Sequence, residues 1–256
     1  MKASGYKTSK TGFEFGTNFE YYDDVRIGLG TSTYIEKIKT SSKASAKMKK
    51  QKGDYFDTFE NFNFDYDKRN QKFQTSDGFR STYRTSVPLV SETSTLTNTY
   101  TYKYFTELYD DNVSSFSIYM KAANSIENKD VKLSERLYAP SSRLRGFEYG
   151  KVGPKDGNDY IGGNYVSTVN FTSTLPFILE NAQNTDFLVF FDAANIWGVD
   201  YDSSLSDKSD DIRSAVGIGV DLFTPIGPLN FSFASPITKS DTDKTETFRF
   251  NLGTTF

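Results

Sequence analysis

The chain contains no cysteine and no histidine among its 256 residues. Without cysteine it can form neither a disulfide framework nor a thiolate metal site. Without histidine it lacks the commonest general base and the commonest neutral metal ligand, so triad hydrolysis and zinc chemistry are not expected. A net charge of -3 gives no overall attraction to nucleic acid. We therefore predict a protein that is not an enzyme, needs no cofactor and has no nucleic-acid partner.

Long apolar runs are also missing. No segment approaches the ~20 apolar residues that a transmembrane helix needs, and the first seven residues lack the apolar core of a secretory signal. Tryptophan is scarce, with one residue, but there are 17 tyrosines and 23 phenylalanines. Both residue types favour strands, and aromatic girdles mark the two water boundaries of a membrane barrel. The composition thus favours an all-β protein.

The last nine residues, 248–256, show the informative pattern most clearly. Phe248, Phe250 and Phe256 fall on one face of an extended strand, whereas Arg249 and Gly253 fall on the other. A strand that is apolar on one side, polar on the other and aromatic at its end suits a wall between lipid and water.

Alternation with a period of two residues recurs along most of the chain. We count eleven such segments, at 11–21, 25–36, 61–66, 79–87, 96–104, 115–121, 161–175, 186–198, 211–223, 227–237 and 245–256. The connections between them alternate between short and long, as in a membrane barrel, with 67–77 as the clearest exception. The pattern predicts an antiparallel sheet with no helix and with Phe62, Tyr100, Phe248 and Phe250 on its convex face.

An odd number of strands has a topological consequence. Eleven strands cannot alternate in direction and also pair antiparallel from first to last, and bacterial single-chain barrels have even strand numbers. We therefore expect the strand at 11–21 to keep an unpaired edge or to pair with another chain.

Several short motifs follow one another towards the carboxyl end. They are Arg145-Gly146-Phe147, Gly153-Pro154-Lys155, Gly162-Gly163-Asn164, Phe191-Asp192-Ala193-Ala194-Asn195-Ile196-Trp197, Gly227-Pro228-Leu229-Asn230-Phe231 and the terminal Phe-x-Phe-x-x-Gly-x-x-Phe. This ordered set resembles the carboxyl-terminal end of the BamA family of outer-membrane β-barrel assembly factors. Matched from that end, the eleven segments look like the last eleven of the family's sixteen strands.

The resemblance implies an organisation and a location. Residues 1–256 would be the carboxyl-terminal part of an outer-membrane barrel domain of the bacterial surface antigen type. The family's periplasmic POTRA domains and signal peptide would be absent from this chain. The expected location is the outer membrane of a Gram-negative cell.

The resemblance also implies a loop clamp. In the family, the long loop that corresponds to 125–160 folds back into the barrel, and its arginine pairs with acids on the inner wall. This assigns Arg145, Gly146 and Phe147 to the loop and Asp192 to the wall, while the second acid of the family is replaced by Asn170. Two simpler interpretations stay open: Arg145 is a solvated loop arginine, and Asp192 merely lines a wet lumen.

The implied function is the folding and insertion of other β-barrel proteins by edge-strand templating. The last strand, with Phe248, Phe250, Gly253 and Phe256, would form one side of the gate and carry the terminal signal. Unfolded outer-membrane proteins would be substrates, outer-membrane lipid the surroundings, and assembly-complex lipoproteins partners through the POTRA domains. The alternatives are a related protein-secretion transporter and a passive pore-forming barrel.

Two charged loops remain. The lysine-rich segment 37–52 predicts a solvated, mobile loop, with attraction to anionic lipid head groups as the alternative. The acidic segment 200–211 lacks the spacing of a calcium loop, so we interpret it as solvated.

Overall fold

The computed structural model describes residues 5–127, 129–178, 184–200, 211–225 and 227–252. Thirteen strands lie in these residues: β1 Tyr6–Tyr22, β2 Val25–Thr40, β3 Gly53–Asp67, β4 Gly78–Val90, β5 Thr95–Thr106, β6 Ser114–Ser125, β7 Lys155–Asp156, β8 Asp159–Tyr160, β9 Tyr165–Thr174, β10 Thr185–Trp197, β11 Arg213–Thr224, β12 Gly227–Thr238 and β13 Phe248–Leu252. The helical turns are α1 Ala46–Lys50 and three 3₁₀ turns, Leu133–Glu135, Ser141–Arg143 and Pro176–Ile178.

Eleven of these strands form one sheet in the order β1-β2-β3-β4-β5-β6-β9-β10-β11-β12-β13, and every neighbouring pair is antiparallel. The predicted antiparallel sheet of eleven strands is therefore confirmed. Within the described residues, β1 pairs with β2 alone and β13 pairs with β12 alone. The unpaired edge predicted for the first strand is observed, and the last strand has one as well.

The two faces of the sheet differ in polarity because side chains alternate along each strand. In β10, Phe190 and Asp192 are buried on one face, whereas Phe191 between them is exposed on the other. Cross-strand partners share a face, so the exposed face can be followed from Phe191 through Phe171 to Phe116. We call this apolar face the outer face and the opposite one the inner face.

The four aromatic residues predicted for one face lie on the outer face. Tyr100, Phe248 and Phe250 are exposed, at 37%, 49% and 50%. Phe62 is half-buried and stands opposite the exposed Leu29 on the neighbouring strand. A face of exposed aromatic and aliphatic side chains is stable only against an apolar solvent, as in a membrane.

The connections between strands fall into two sets at opposite rims. One rim, the turn rim, carries 23–24, 68–77, 107–113, 175–184 and 225–226; the other, the loop rim, carries 41–52, 91–94, 126–164, 198–212 and 239–247. The long connection predicted at 67–77 is present. The connection before Asp186, which the sequence indicated as short, spans 175–184 and includes a 3₁₀ turn.

The expectation that the chain contains no helix was wrong. The segment 41–52 contains the helix α1, whose first turn is capped by the Ser45 hydroxyl accepting from the Met48 amide. Met48 is completely buried and packs with Ala44, Leu133 and Ile161, so an apolar anchor holds the lysine-rich segment in place. The long loop also forms a small hairpin, β7–β8, which the alternation pattern did not reveal.

The long loop 126–164 folds onto the inner face of the sheet and supplies six of the eleven buried residues of one apolar cluster. Its side chains Val131, Leu144, Phe147 and Val152 cluster with apolar residues of the sheet strands, among them Ala123, Val166, Ala194, Ile196 and Ala215. The core is thus built between one loop and one wall of the sheet. In the part of the chain that the structure describes, no helix is long and apolar enough to cross a membrane.

Candidate functional site: a loop clamp on the inner wall

The site begins with the alternation of β10. Because Phe190 and Asp192 are two residues apart, both side chains point to the inner face. The 3₁₀ turn Ser141–Arg143 then brings the following residues of the long loop against this strand. Arg145 is 1% exposed and Asp192 is 0% exposed, so both charges are fully withdrawn from solvent.

Arg145 binds Asp192 in a bidentate manner. Its Nε lies 2.7 Å from Oδ2 and its Nη2 lies 2.8 Å from Oδ1. The backbone amide of Arg145 donates to Oδ2 as well, at 3.0 Å. The guanidinium carbon lies 3.5 Å from the centre of the Phe190 ring, so the cation stacks on an aromatic face. Paired, planar donors of this kind make the strongest charge-assisted hydrogen bonds.

Asn170 completes the clamp as a neutral bridge. It stands directly opposite Asp192 in the β9–β10 ladder. Its amide nitrogen donates to Asp192 Oδ1 at 2.8 Å and to the carbonyl of Arg143 at 2.8 Å. A second carboxylate at this position could accept from Arg145 but could not donate to either oxygen. The asparagine therefore ties the wall to the loop backbone without adding a second buried negative charge.

Gly146 allows the loop backbone to approach the wall. Its φ is +88°, in the region that side chains disfavour, and an added Cβ would lie 3.1 Å from Ala215 Cβ and 3.2 Å from Ala234 Cβ. The two alanines of β11 and β12 thus let the glycine backbone approach closely, whereas an added Cβ would crowd both methyl groups. Phe147, which follows, is 1% exposed and enters the core beneath the loop.

A second charged cluster anchors the earlier part of the long loop to β2 and β3. Lys132 Nζ lies 2.6 Å from Asp57 Oδ2, 3.2 Å from Glu36 Oε2 and 3.5 Å from Glu135 Oε1. The lysine and the two strand carboxylates are almost completely buried. Three carboxylates surround one ammonium, so the cluster is rich in negative charge.

The protonation of this cluster follows from burial and charge. Burial lowers the pKa of Lys132, but the carboxylates of Glu135, Asp57 and Glu36 outweigh burial and leave the pKa above its usual value. Burial raises the pKa of Glu135 above its usual value, and Lys132 opposes this only in part. The cluster thus favours a charged Lys132 and opposes ionisation of Glu135.

The acidic segment 200–211 is not simply solvated. Asp200 accepts a hydrogen bond from the Val131 amide at 2.6 Å, bonds the Asn164 side chain, and lies 3.7 Å from Arg136. It therefore fixes the long loop from the side of β10, which corrects the interpretation from the sequence. Residues 201–210 lie outside the described residues. Within the described residues, no group of acidic side chains has the arrangement of a metal site.

The residues predicted for the gate are partly visible. Phe248 and Phe250 lie on the outer face of β13, opposite Phe233 and Phe231 of β12. Gly253 and Phe256 lie outside the described residues. Lys132 and its carboxylates could not be identified from the sequence, because they come from three distant segments. The one available signal was the apolar pair Val131 and Leu133 within an otherwise polar stretch.

An antiparallel sheet with an apolar outer face, a polar inner face and a loop bound to its inner side defines the wall of a transmembrane β-barrel. The model of the Omp85 superfamily domain matches residues 1–256, and the chain therefore belongs to the Omp85 superfamily.

Two relatives indicate the branch of the superfamily. The outer membrane protein assembly factor BamA of Neorickettsia risticii is 23% identical over 100% of this chain and 35% of its own length. The factor of the same name from Neisseria meningitidis serogroup B is 28% identical over 155 residues, 50% of this chain and 19% of the relative. The chain thus spans about a third or less of the length of these relatives.

Solved structures agree on the fold. BamA from Haemophilus ducreyi lacking POTRA domains 1-3 gives a TM-score of 0.84 at 22% identity, over 96% of this chain and 54% of that one. CdiB from Acinetobacter baumannii gives a TM-score of 0.60 at 12% sequence identity, over 96% of this chain and 42% of the CdiB chain. The resemblance to BamA and the outer-membrane location expected from the sequence are confirmed.

Proposed function

We propose that this chain acts in outer-membrane protein assembly, where it folds and inserts β-barrel proteins by offering them a sheet edge. The observation that carries the proposal is the edge of β13, which has no partner strand within the described residues and lies at the end of a sheet whose outer face is apolar. Backbone groups at an edge in lipid have no water to bind, so pairing with an incoming strand is strongly favourable. No covalent chemistry and no nucleotide is required.

The clamp supports this proposal by explaining how an edge can remain available. The pairing of Arg145 with Asp192 holds the long loop against β9–β12, and this interior scaffold keeps the wall in shape while its edge is unpaired. Clients would be unfolded outer-membrane proteins. Assembly-complex lipoproteins would be partners where POTRA domains are present.

The test is a folding assay in lipid vesicles. An unfolded client barrel is added to vesicles that contain the purified protein, and the folded client is followed as its heat-modifiable band. Because the chain has no native cysteine, Leu252→Cys supplies a single cross-linking position on β13. We expect faster client folding and a disulfide cross-link to a cysteine in a terminal strand of the client.

Two other outcomes correspond to the alternatives. Ion conductance without faster client folding would refute the proposal and favour a passive pore. Cross-linking of an exported protein to inner-face positions such as Thr99→Cys, but not to Leu252→Cys, would favour a secretion transporter. The similarity to CdiB concerns the fold alone and does not by itself favour the transporter.

A further inference from the structure

The last loop of the sheet, residues 239–247, lies against the long loop and leads directly into β13. An antiparallel β-bridge joins Phe147 to Thr245. The amide of Glu246 donates to the carbonyl of Gly146 at 3.1 Å, and two further amide–carbonyl bonds of 2.9 and 3.0 Å continue the contact to residues 148–151. The segment that carries the clamp arginine is thus paired, backbone to backbone, with the approach to the edge strand.

A buried ion pair fixes the same loop to the wall. Arg213 Nε of β11 lies 2.9 Å from Asp243 Oδ2, and both side chains are completely buried. Asp243 also accepts from the amide of Ser240 at 2.8 Å and from the amide of Gly153 at 3.3 Å. One carboxylate therefore joins β11, the last loop and the long loop.

Arg249 extends these contacts into β13 itself. It stands opposite the buried Ser232 of β12, so its side chain points to the inner face, where it is 9% exposed. Its guanidinium donates to the carbonyls of Ser141 and Phe147, and it pairs with Glu246. In the sequence, Ser141 and Phe147 lie before and after Arg145. The Arg249 side chain of the edge strand therefore binds the loop on both sides of the clamp arginine.

We infer that Arg249 is a latch that makes the position of the edge strand depend on the clamp. Within the described residues, β13 pairs with β12 over Phe248–Leu252, and the bonds of Arg249 tie the start of this ladder to the long loop. If the clamp segment moves away from the wall, Arg249 loses both carbonyl acceptors and the two charge-assisted hydrogen bonds that it donates to them. Arg249 is a positioning residue, and its part in assembly rests on the proposed function.

The test is hydrogen–deuterium exchange of the protein in lipid nanodiscs, with no client present. We compare Arg249→Gln, Arg145→Ala and the double variant, with Arg84→Gln as the control, since Arg84 lies on β4 and donates to Asn63 of β3. Loss of the charge-assisted bonds should make the protected amides of 248–252 exchange at least about tenfold faster in Arg249→Gln. Arg145→Ala should have the same effect on β13, although Arg145 is on the loop.

The double variant distinguishes a latch from two separate anchors. With a latch, Arg145→Ala adds little to the exchange of β13 once Arg249 is replaced. The inference is overturned if Arg145→Ala leaves β13 exchange unchanged, or if the two effects multiply. Should Arg249→Gln fail to give a heat-resistant folded band, Arg249→Lys, which retains the charge but not the fork of donors, replaces it in the same comparison. Because the assay contains no client, its failure is distinguishable from failure of the assembly proposal.

Discussion

Replacement of Arg145 by alanine should weaken the folded barrel wall more than any other change in the clamp. The variant removes both side-chain bonds to Asp192, at 2.7 and 2.8 Å, and the stacking on Phe190. It leaves a carboxylate that is 0% exposed with only the Asn170 amide and the backbone amide of residue 145 as donors. Removal of one partner of a buried pair costs about 3–5 kcal/mol.

The assay is the temperature at which the folded band is lost on semi-native gels. A loss of this size should lower that temperature by roughly 10 °C in a chain of this length. Arg84→Ala is the matched control, because Arg84 is exposed on its strand and should change the temperature little. Lys49→Ala, on the exposed side of α1, serves as a second control. Equal melting of Arg145→Ala and Arg84→Ala would refute the buried clamp.

Three further changes test other parts of the structure. Gly146→Ala should cost about 1–3 kcal/mol of stability and lower the same melting temperature by less than Arg145→Ala does, since the new Cβ meets two alanine methyl groups at a positive φ. Met120→Lys places a charge on the outer face and should cost about 2–4 kcal/mol of stability near the bilayer midplane. The neighbouring Lys121→Gln, on the inner face, should cost little. Equal losses of stability in the two variants would contradict the assignment of the faces. Lys132→Met should be more destabilising at pH 8 than at pH 5, as urea unfolding at the two values would show. Folding raises the pKa of Glu135. Its contribution to stability is therefore complete at pH values below its pKa in the unfolded chain, and it is lost as the pH rises through its pKa in the folded chain. Removal of Lys132 enlarges this loss, and a pH-independent difference from the wild type would refute the charge argument.

The sheet was predictable from the sequence because membrane strands repeat a pattern of two residues. Each predicted segment overlaps one strand of the sheet, and the outer-face positions of Phe62, Tyr100, Phe248 and Phe250 follow from alternation alone. Strand ends were less predictable. β3 begins at Gly53, well before the pattern at 61–66, because ladder bonds to β2 continue beyond the apolar alternation.

The site was predictable only where a family motif marked it. Arg145, Gly146, Phe147 and Asp192 came from the resemblance, and the structure places them together. No periodicity marks Lys132. Alternation places Arg249 on the polar face of its strand but does not reveal its acceptors, since they come from distant segments that tertiary folding brings together. The helix α1 was missed for a similar reason: its five residues are held by burial of Met48 and not by a repeating pattern.

The two anchors of the long loop stand at different heights above the turn rim. With about 3.3 Å per residue and a strand tilt of about 40°, Asp192 lies roughly 18 Å above the start of β10, while Glu36 lies roughly 28 Å above the start of β2. The apolar band of an outer-membrane barrel is about 25 Å tall. The clamp therefore sits at membrane depth, shielded by lipid and protein, whereas the Lys132 cluster stands at the water boundary on the side of the loop rim. Acid or salt on that side of the membrane would reach the upper anchor first, so the two ends of one loop lie in different surroundings.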